Sequence, residues 1–68
     1  MNANLLKAKM AEHGLTQKET AKRIGISYSR FNAKVTGCHG AEFTLADVNA
    51  LKEALKLDAA QIDAIFFA

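Results

Sequence analysis

The chain contains few residues of the kinds that build catalytic or metal centres. Its single cysteine, Cys38, precedes His39 in a short stretch flanked by glycines. Zinc needs more ligands than this pair, and a thiol nucleophile needs an oriented base. The sequence also shows no glycine-rich phosphate loop and no carboxylate pair suited to acid–base work. We therefore expect no enzyme activity, cofactor, metal or small-molecule substrate, and a function in recognition instead.

Hydrogen-bonding side chains are concentrated in residues 28–36, YSRFNAKVT. Phe31 and Val35 form an apolar pair four residues apart, as on the buried side of a helix. At about 100° per residue, the opposite side and its shoulders carry Ser29, Arg30, Asn32, Ala33 and Thr36, with Tyr28 at the margin and Lys34 further around. Hydroxyl, guanidinium and amide groups on one exposed face are suited to base edges and phosphates.

The sequence before this segment predicts two short helices joined by a tight turn. Thr16 and Glu19 have the spacing of a capping box, so a helix begins at about Gln17. Gly25 ends that helix, because a chain leaving a helix commonly needs a positive φ. Ser27 is a second N-cap, and Gly37 ends the second helix. This arrangement is a helix-turn-helix.

The stretch from Leu15 to Gly37, LTQKETAKRIGISYSRFNAKVTG, resembles the DNA-binding domains of lambdoid phage repressors and Cro proteins. Ala21 fits the place where the two helices cross, and Ile26 fits the apolar position in the turn. The resemblance extends from Leu5 to Leu57. It implies a compact, all-α, five-helix, lambda-repressor-like domain over residues 1–68, with the helix-turn-helix at helices 2 and 3.

The resemblance implies that Tyr28, Ser29, Asn32 and Ala33 read bases. Asn32 pairs with adenine, Ser29 either donates or accepts, and the Ala33 methyl touches thymine. Arg30 reaches a guanine or a phosphate, or pairs with nothing. For Tyr28 the alternative is a ring laid over Phe31.

Charge is distributed unevenly along the chain. Residues 1–40 hold seven cations and two carboxylates, a net of +5, whereas residues 41–68 hold two cations and five carboxylates, a net of −3. The basic half contains the motif, which favours binding to phosphate. The residues expected at phosphates are Gln17, which the resemblance also makes a brace for the third helix, and Lys18, Lys22, Lys34, Thr36 and His39. Ordinary solvated lysines and a helix-start glutamine are the alternative.

Two departures from the family are visible. The loop after the third helix is often rich in Lys and Arg in relatives, but here only His39 could contact phosphate. Many relatives also place an Arg–Glu pair between helices 1 and 3, where this chain has Met10 and Val35. We expect a dry contact there.

The rest of the chain predicts helices that enclose the motif. Leu5, Leu6 and Met10 mark a first helix that ends near Gly14, where His13 lies in the last turn. Thr44 caps a fourth helix with an apolar stripe of Leu45, Val48, Leu51 and Leu55. Asp58 starts a short final helix through Ile62, Ile65 and Phe66.

The C-terminus suggests an interface. On a regular helix Ile62, Ile65 and Phe66 share one face that can complete the core. Phe67 lies about 100° away, and so small a protein has little interior left for it. A second copy or another protein in contact with Ile65, Phe66 and Phe67 would cover it, and a homodimer suits a symmetric operator. A frayed or core-capping Phe67 is the alternative.

Two functions follow as expectations. The first is a small phage-type transcriptional regulator that binds a double-stranded operator and acts by occupancy, because 68 residues leave no room for an effector domain. The second is a phage modulator or antirepressor on the same fold that binds another repressor. The lone cysteine and the absence of a signal peptide or membrane span favour the cytoplasm of the bacterial host, at the nucleoid.

Overall fold

The computed structural model describes residues 1–67, and Ala68 lies outside the described part. It contains five α-helices and, over those residues, no β-strand, which confirms the all-helical prediction. The helices are α1 (Ala3–Glu12), α2 (Gln17–Ile24), α3 (Tyr28–Thr36), α4 (Leu45–Leu55) and α5 (Ala59–Ile62). A 3₁₀ turn, Cys38–Gly40, follows α3, and a π-helical turn, Asp63–Phe67, follows α5.

Side-chain caps fix where α2 and α3 begin. The Thr16 hydroxyl accepts a hydrogen bond from the Glu19 amide at 3.1 Å, and the Glu19 carboxylate accepts one from the Thr16 amide at 3.1 Å. This is the expected capping box, and it satisfies two amides that the first turn leaves without helical partners. The Ser27 hydroxyl caps α3, since it accepts a hydrogen bond from the Arg30 amide at 3.2 Å.

The turn between α2 and α3 depends on Gly25. Its φ of +80° lies in the left-handed region, where a side chain would be strained. The Ile26 amide then bonds back to the Ala21 carbonyl at 3.1 Å. Ala21 is buried and Ile26 packs against the core, so both occupy the interior positions expected of them.

One apolar cluster holds the helices together. Its buried members come from α1 to α4 and from the C-terminal segment: Leu6, Met10, Ala21, Phe31, Val35, Leu51, Leu55, Leu57 and Ile65. Met10 and Val35 both belong to it, as expected of a dry contact. The N-terminus is tied to the other end of the chain, because the Asn2 amide bonds to the Ile65 carbonyl at 2.6 Å.

The prediction that Leu45 belongs to the apolar stripe of α4 is wrong. Leu45 is 73% exposed, whereas Val48, Leu51 and Leu55 are buried. Leu45 is the first residue of α4, immediately after the Thr44 cap.

The prediction that Ile65 lies at an interface is also wrong. It is fully buried within the monomer, so no partner can reach it. Phe66 is partly buried against the core and Phe67 is exposed. Regular helical spacing, which puts Ile65 and Phe66 toward the core and Phe67 outside it, agrees with these positions although residues 63–67 form a π-helical turn.

Across residues 1–67, every helix is too short or too polar to cross a bilayer.

Candidate nucleic-acid interface

Helix α3 is anchored by one side. Phe31 is completely buried and Val35 nearly so. The Phe31 ring meets the edge of Phe43, with centroids 5.6 Å apart and planes at 65°, a favourable aromatic geometry. The side of α3 that carries Phe31 and Val35 is therefore fixed in the core, as the i, i+4 spacing predicts.

The opposite side of α3 is open to solvent. Ser29, Arg30 and Asn32 are exposed, Tyr28 is 50% exposed, and Ala33 is partly buried. Within residues 1–67, the side chains of Ser29, Arg30 and Asn32 form no hydrogen bond to another protein group. Their donors and acceptors are free for a ligand. Among residues 1–67 the ring that meets Phe31 is that of Phe43, and no ring pair joins Tyr28 to Phe31.

Gln17 is the first residue of α2, and the oxygen and nitrogen of its side-chain amide lie in different environments. Its Oε1 is buried and has no hydrogen-bond partner among residues 1–67. An acceptor left in this state costs about 1–3 kcal/mol, so a donor brought near it by a ligand or by a side-chain rotation would be favoured. The Nε2 group is neither buried nor bonded, and so remains a free donor at the start of α2.

Lys18 and Lys22 lie one helical turn apart on α2, and both are exposed. Glu19 supplies the one carboxylate of α2, and this carboxylate accepts a hydrogen bond in the capping box. Hydrogen bonds from the Thr16 backbone and side chain, helped by the charge of Arg23, lower the pKa of Glu19. Glu19 is thus held ionised within the helix start, where its charge offsets one of the cations of α2.

Arg23 is a candidate that the sequence argument counted only as charge. It is exposed in the last turn of α2, four residues after Glu19. Cations are generally stabilised near helix C-termini, so the position of Arg23 in the sequence did not by itself indicate a binding role.

Lys34 is not part of the exposed face of α3. Its ammonium group donates to Oδ2 of Asp47 in α4, and both side chains are only 11% exposed. The same Oδ2 accepts a hydrogen bond from the Thr44 amide at 3.0 Å. The four-carbon stem lets Lys34 reach back to the start of α4, so we remove it from the phosphate-contacting set.

Asp47 is therefore both a cap of α4 and the partner of Lys34. Burial by itself raises the pKa of Asp47, but the hydrogen bonds from Lys34 and Thr44 and the Lys34 charge outweigh burial, so the net pKa is lowered. Every other side-chain hydrogen bond in residues 1–67 joins groups at most four residues apart. The Lys34–Asp47 contact alone ties two elements together in this way, and it holds the end of α3 to α4.

Thr36 is the last residue of α3, and His39 lies in the turn that follows it. The Thr36 hydroxyl is exposed but donates to the Asn32 carbonyl at 3.0 Å, so its proton is already in use. His39 is exposed in the turn after α3, with a left-handed φ of +54°. The structure brings neither of them together with Gln17 or Lys18 through a hydrogen bond.

Cys38 is a free, exposed thiol next to His39. In the part of the chain that the structure describes, no three His, Cys, Asp or Glu side chains are grouped as a metal site requires.

Comparison of this chain with models of protein families, with curated proteins and with solved structures finds no match.

Proposed function

We propose that this chain is a small, sequence-specific DNA-binding regulator of the phage repressor and Cro type, with α2 and α3 as its helix-turn-helix. One observation carries the proposal. The exposed side of α3 presents hydroxyl, guanidinium and amide groups with no partner in the protein, on a helix whose other side is fixed by Phe31 and Val35. Rigid presentation of unpaired groups is what reading of base edges requires.

Base reading is assigned to the first two turns of α3. Asn32 bonds to adenine N6 and N7, and Arg30 bonds to guanine or to a phosphate beside it. Ser29 and Tyr28 lie at the N-terminal end, which enters the major groove first in this class of motif. Ala33 is partly buried, and its methyl group is assigned to contact with a thymine methyl.

Backbone contact is assigned to α2. The free Nε2 of Gln17 donates to a phosphate, and the exposed Lys18 and Lys22 neutralise others. Each neutralised phosphate steepens the salt dependence by about 0.9 in log–log slope. With Lys34 withdrawn into its pair with Asp47, the phosphate set is smaller than the sequence alone indicates, and Thr36 and His39 are secondary members.

Regulation then follows from occupancy. A copy bound in the major groove blocks other proteins from the same site, and a pair of copies on a twofold-symmetric operator gives specificity from two short half-sites. This role belongs in the cytoplasm of the host cell, where the chain meets DNA.

The test is binding of the purified chain to DNA sites selected from a random pool, measured by fluorescence anisotropy at two salt concentrations. We expect an enriched sequence and an affinity that falls with salt. Asn32→Ala should relax preference at one or two positions, whereas Lys18→Ala should weaken all sequences alike. Lys52→Ala, an exposed lysine on α4, is the matched control and should bind as the original chain does. Failure to enrich any sequence would overturn the proposal.

A second function has one observation in its favour. Phe67 is 69% exposed beside a groove with both polar and apolar walls, as on a protein that binds another protein. A phage modulator or antirepressor on the same fold would use this surface to hold another repressor. Such a chain would bind no DNA alone and would bind it only together with that repressor.

A further inference from the structure

The apolar contacts of α3 set its depth in the core better than its tilt. Phe31 and Val35 are the buried residues of α3, and burial of apolar surface has no preferred direction. Beyond the helix, Gly37 has a φ of +73°, and glycine restricts the backbone least of all residues. The Cys38–Gly40 turn that follows buries no residue. The last turn of α3 therefore needs a directional contact if its place is to be defined.

The Lys34–Asp47 contact is directional. The Asp47 carboxylate is fixed at the start of α4, because its Oδ2 accepts from the Thr44 amide at 3.0 Å while the Asp47 amide donates to the Thr44 hydroxyl at 3.2 Å. The same Oδ2 accepts the hydrogen bond from the Lys34 ammonium. Hydrogen bonds have preferred angles as well as distances. The contact thus specifies where the last turn of α3 lies relative to α4.

Stability alone does not account for such a contact. Both side chains are 11% exposed, and removing two charges from water cancels much of their attraction, so an apolar pair of similar volume is often at least as stable. A charged, hydrogen-bonded pair does define one geometry. Here that geometry belongs to a helix whose other end exposes Ser29 and Arg30 without protein partners.

A small tilt of α3 would displace those exposed groups. With nine residues, α3 is about 13 Å long. Since Phe31 lies near the middle, a tilt of roughly 10° moves either end by about 1 Å. Hydrogen bonds keep their strength over only about 0.5 Å in donor–acceptor distance. A tilt of this size is therefore enough to weaken contacts with base edges.

We infer that Asp47 is a positioning residue for sequence selection by α3, acting through Lys34. The inference rests on the proposed function. Asp47 is 8% exposed, so its carboxylate is withheld from a DNA backbone that would repel it. Loss of the contact should reduce preference for a sequence and leave general attraction to phosphate intact, because Lys18 and Lys22 lie on α2.

The main test combines Lys34→Met with Asp47→Leu. One cation and one carboxylate are lost together, so the net charge is unchanged and no buried charge is left unpaired. Under conditions where urea denaturation shows the variant folded, we expect about a tenfold loss of affinity for a selected DNA site, no loss for a scrambled site, and an unchanged salt slope.

Two results of that test would overturn the inference. Unchanged affinity for both sites would mean that the contact only stabilises the fold. Equal losses on both sites with a flatter salt slope would mean that Lys34 itself contacts phosphate.

A milder pair of variants gives the opposite sign from simple charge. Asp47→Asn and Glu53→Gln each remove one carboxylate from α4, and Glu53 is exposed with no ion pair among residues 1–67. Charge alone predicts slightly tighter binding to every DNA in both variants. We expect the ratio of selected to scrambled affinity to fall in Asp47→Asn, whose neutral amide holds Lys34 more weakly, and to stay constant in Glu53→Gln. Equal ratios in the two variants would overturn the inference.

A measurement without DNA separates this inference from the proposed function. Residual dipolar couplings of the backbone amides report the orientation of α3 relative to α2 and α4. In the double variant we expect α3 to reorient by about 10° or more, the tolerance of a preorganised site, and an unchanged orientation would overturn the inference. If α3 reorients but the original chain selects no DNA sequence, the proposed function fails and Asp47 still positions α3. If the original chain selects a sequence and the double variant selects it equally well, the inference fails alone.

Discussion

Arg30 and Lys34 are the two cations of α3, one turn apart, and the structure uses them differently. Arg30 is exposed and its guanidinium has no partner in residues 1–67, whereas Lys34 is nearly buried against Asp47. The N-terminal half of α3 is thus left free for a ligand, and the C-terminal half is fixed to α4. Positive charge on α3 therefore does not by itself indicate contact with DNA, because a long side chain can instead hold the helix in place.

The largest expected effect comes from removing Phe31, the residue that fixes both halves of α3 in the core. Phe31→Ala removes a fully buried ring and should cost about 3–5 kcal/mol. A domain of this size has about 3–10 kcal/mol in total, so the variant should be largely or wholly unfolded. Urea denaturation followed by circular dichroism measures the loss. A cost below about 1 kcal/mol would mean that α3 is held in some other way.

Lys34→Met and Arg30→Met should differ in their effect on the free energy of unfolding. Removing Lys34 leaves the Asp47 carboxylate buried with only its cap, and we expect a loss of about 1–3 kcal/mol in the free energy of unfolding. Arg30→Met should stay within about 0.5 kcal/mol of the original chain. Lys34→Met combined with Asp47→Leu should recover part of the loss, because no unpaired charge remains. Equal losses of stability in the two single variants would contradict the conclusion that Lys34 holds α3 to α4.

Acid should weaken the fixed half of α3. The pKa of Asp47 is lowered in the folded state, so Asp47 contributes stability above its unfolded pKa of about 3.9 that is lost as pH falls through the folded value. Denaturation of the original chain and of Asp47→Asn over about pH 6 to 2 should therefore converge at the acid end. The capping Glu19, whose pKa is also lowered, remains in both proteins and does not affect their difference. A constant gap across the range would show that the Asp47 charge contributes nothing.

The smallest expected effect concerns backbone contact. Lys18→Ala should flatten the log–log salt dependence of DNA binding by about 0.9 per lost phosphate contact and leave stability unchanged. Lys34→Met should not flatten it, provided binding is measured where that variant is folded. A flattening by Lys34→Met of the same size would return Lys34 to the phosphate set.

Features that depend on near neighbours in the chain were predictable. The Thr16–Glu19 box, the left-handed Gly25, the Ser27 cap and the buried Phe31 all follow from residue types at fixed short spacing, and the structure has them. Because these features set the bounds of α2 and α3, the exposed side of α3 was also predictable.

Features that depend on contacts between distant residues were not predictable. Lys34 and Asp47 are 13 residues apart, and a helical wheel places each on its own helix without showing that they meet. The exposure of Leu45 depends on where the core ends, which helical spacing alone does not show. The buried Oε1 of Gln17 likewise depends on packing that the helix start does not reveal.

The most direct test of the central claim is the affinity of Arg30→Ala for a selected DNA site, compared with its affinity for a scrambled site of equal length, beside its thermal unfolding. The account predicts at least a tenfold loss on the selected site, a smaller loss on the scrambled one, and an unchanged unfolding midpoint. Unchanged affinity on both sites, in a variant that is fully folded, would contradict the claim that the open side of α3 reads DNA.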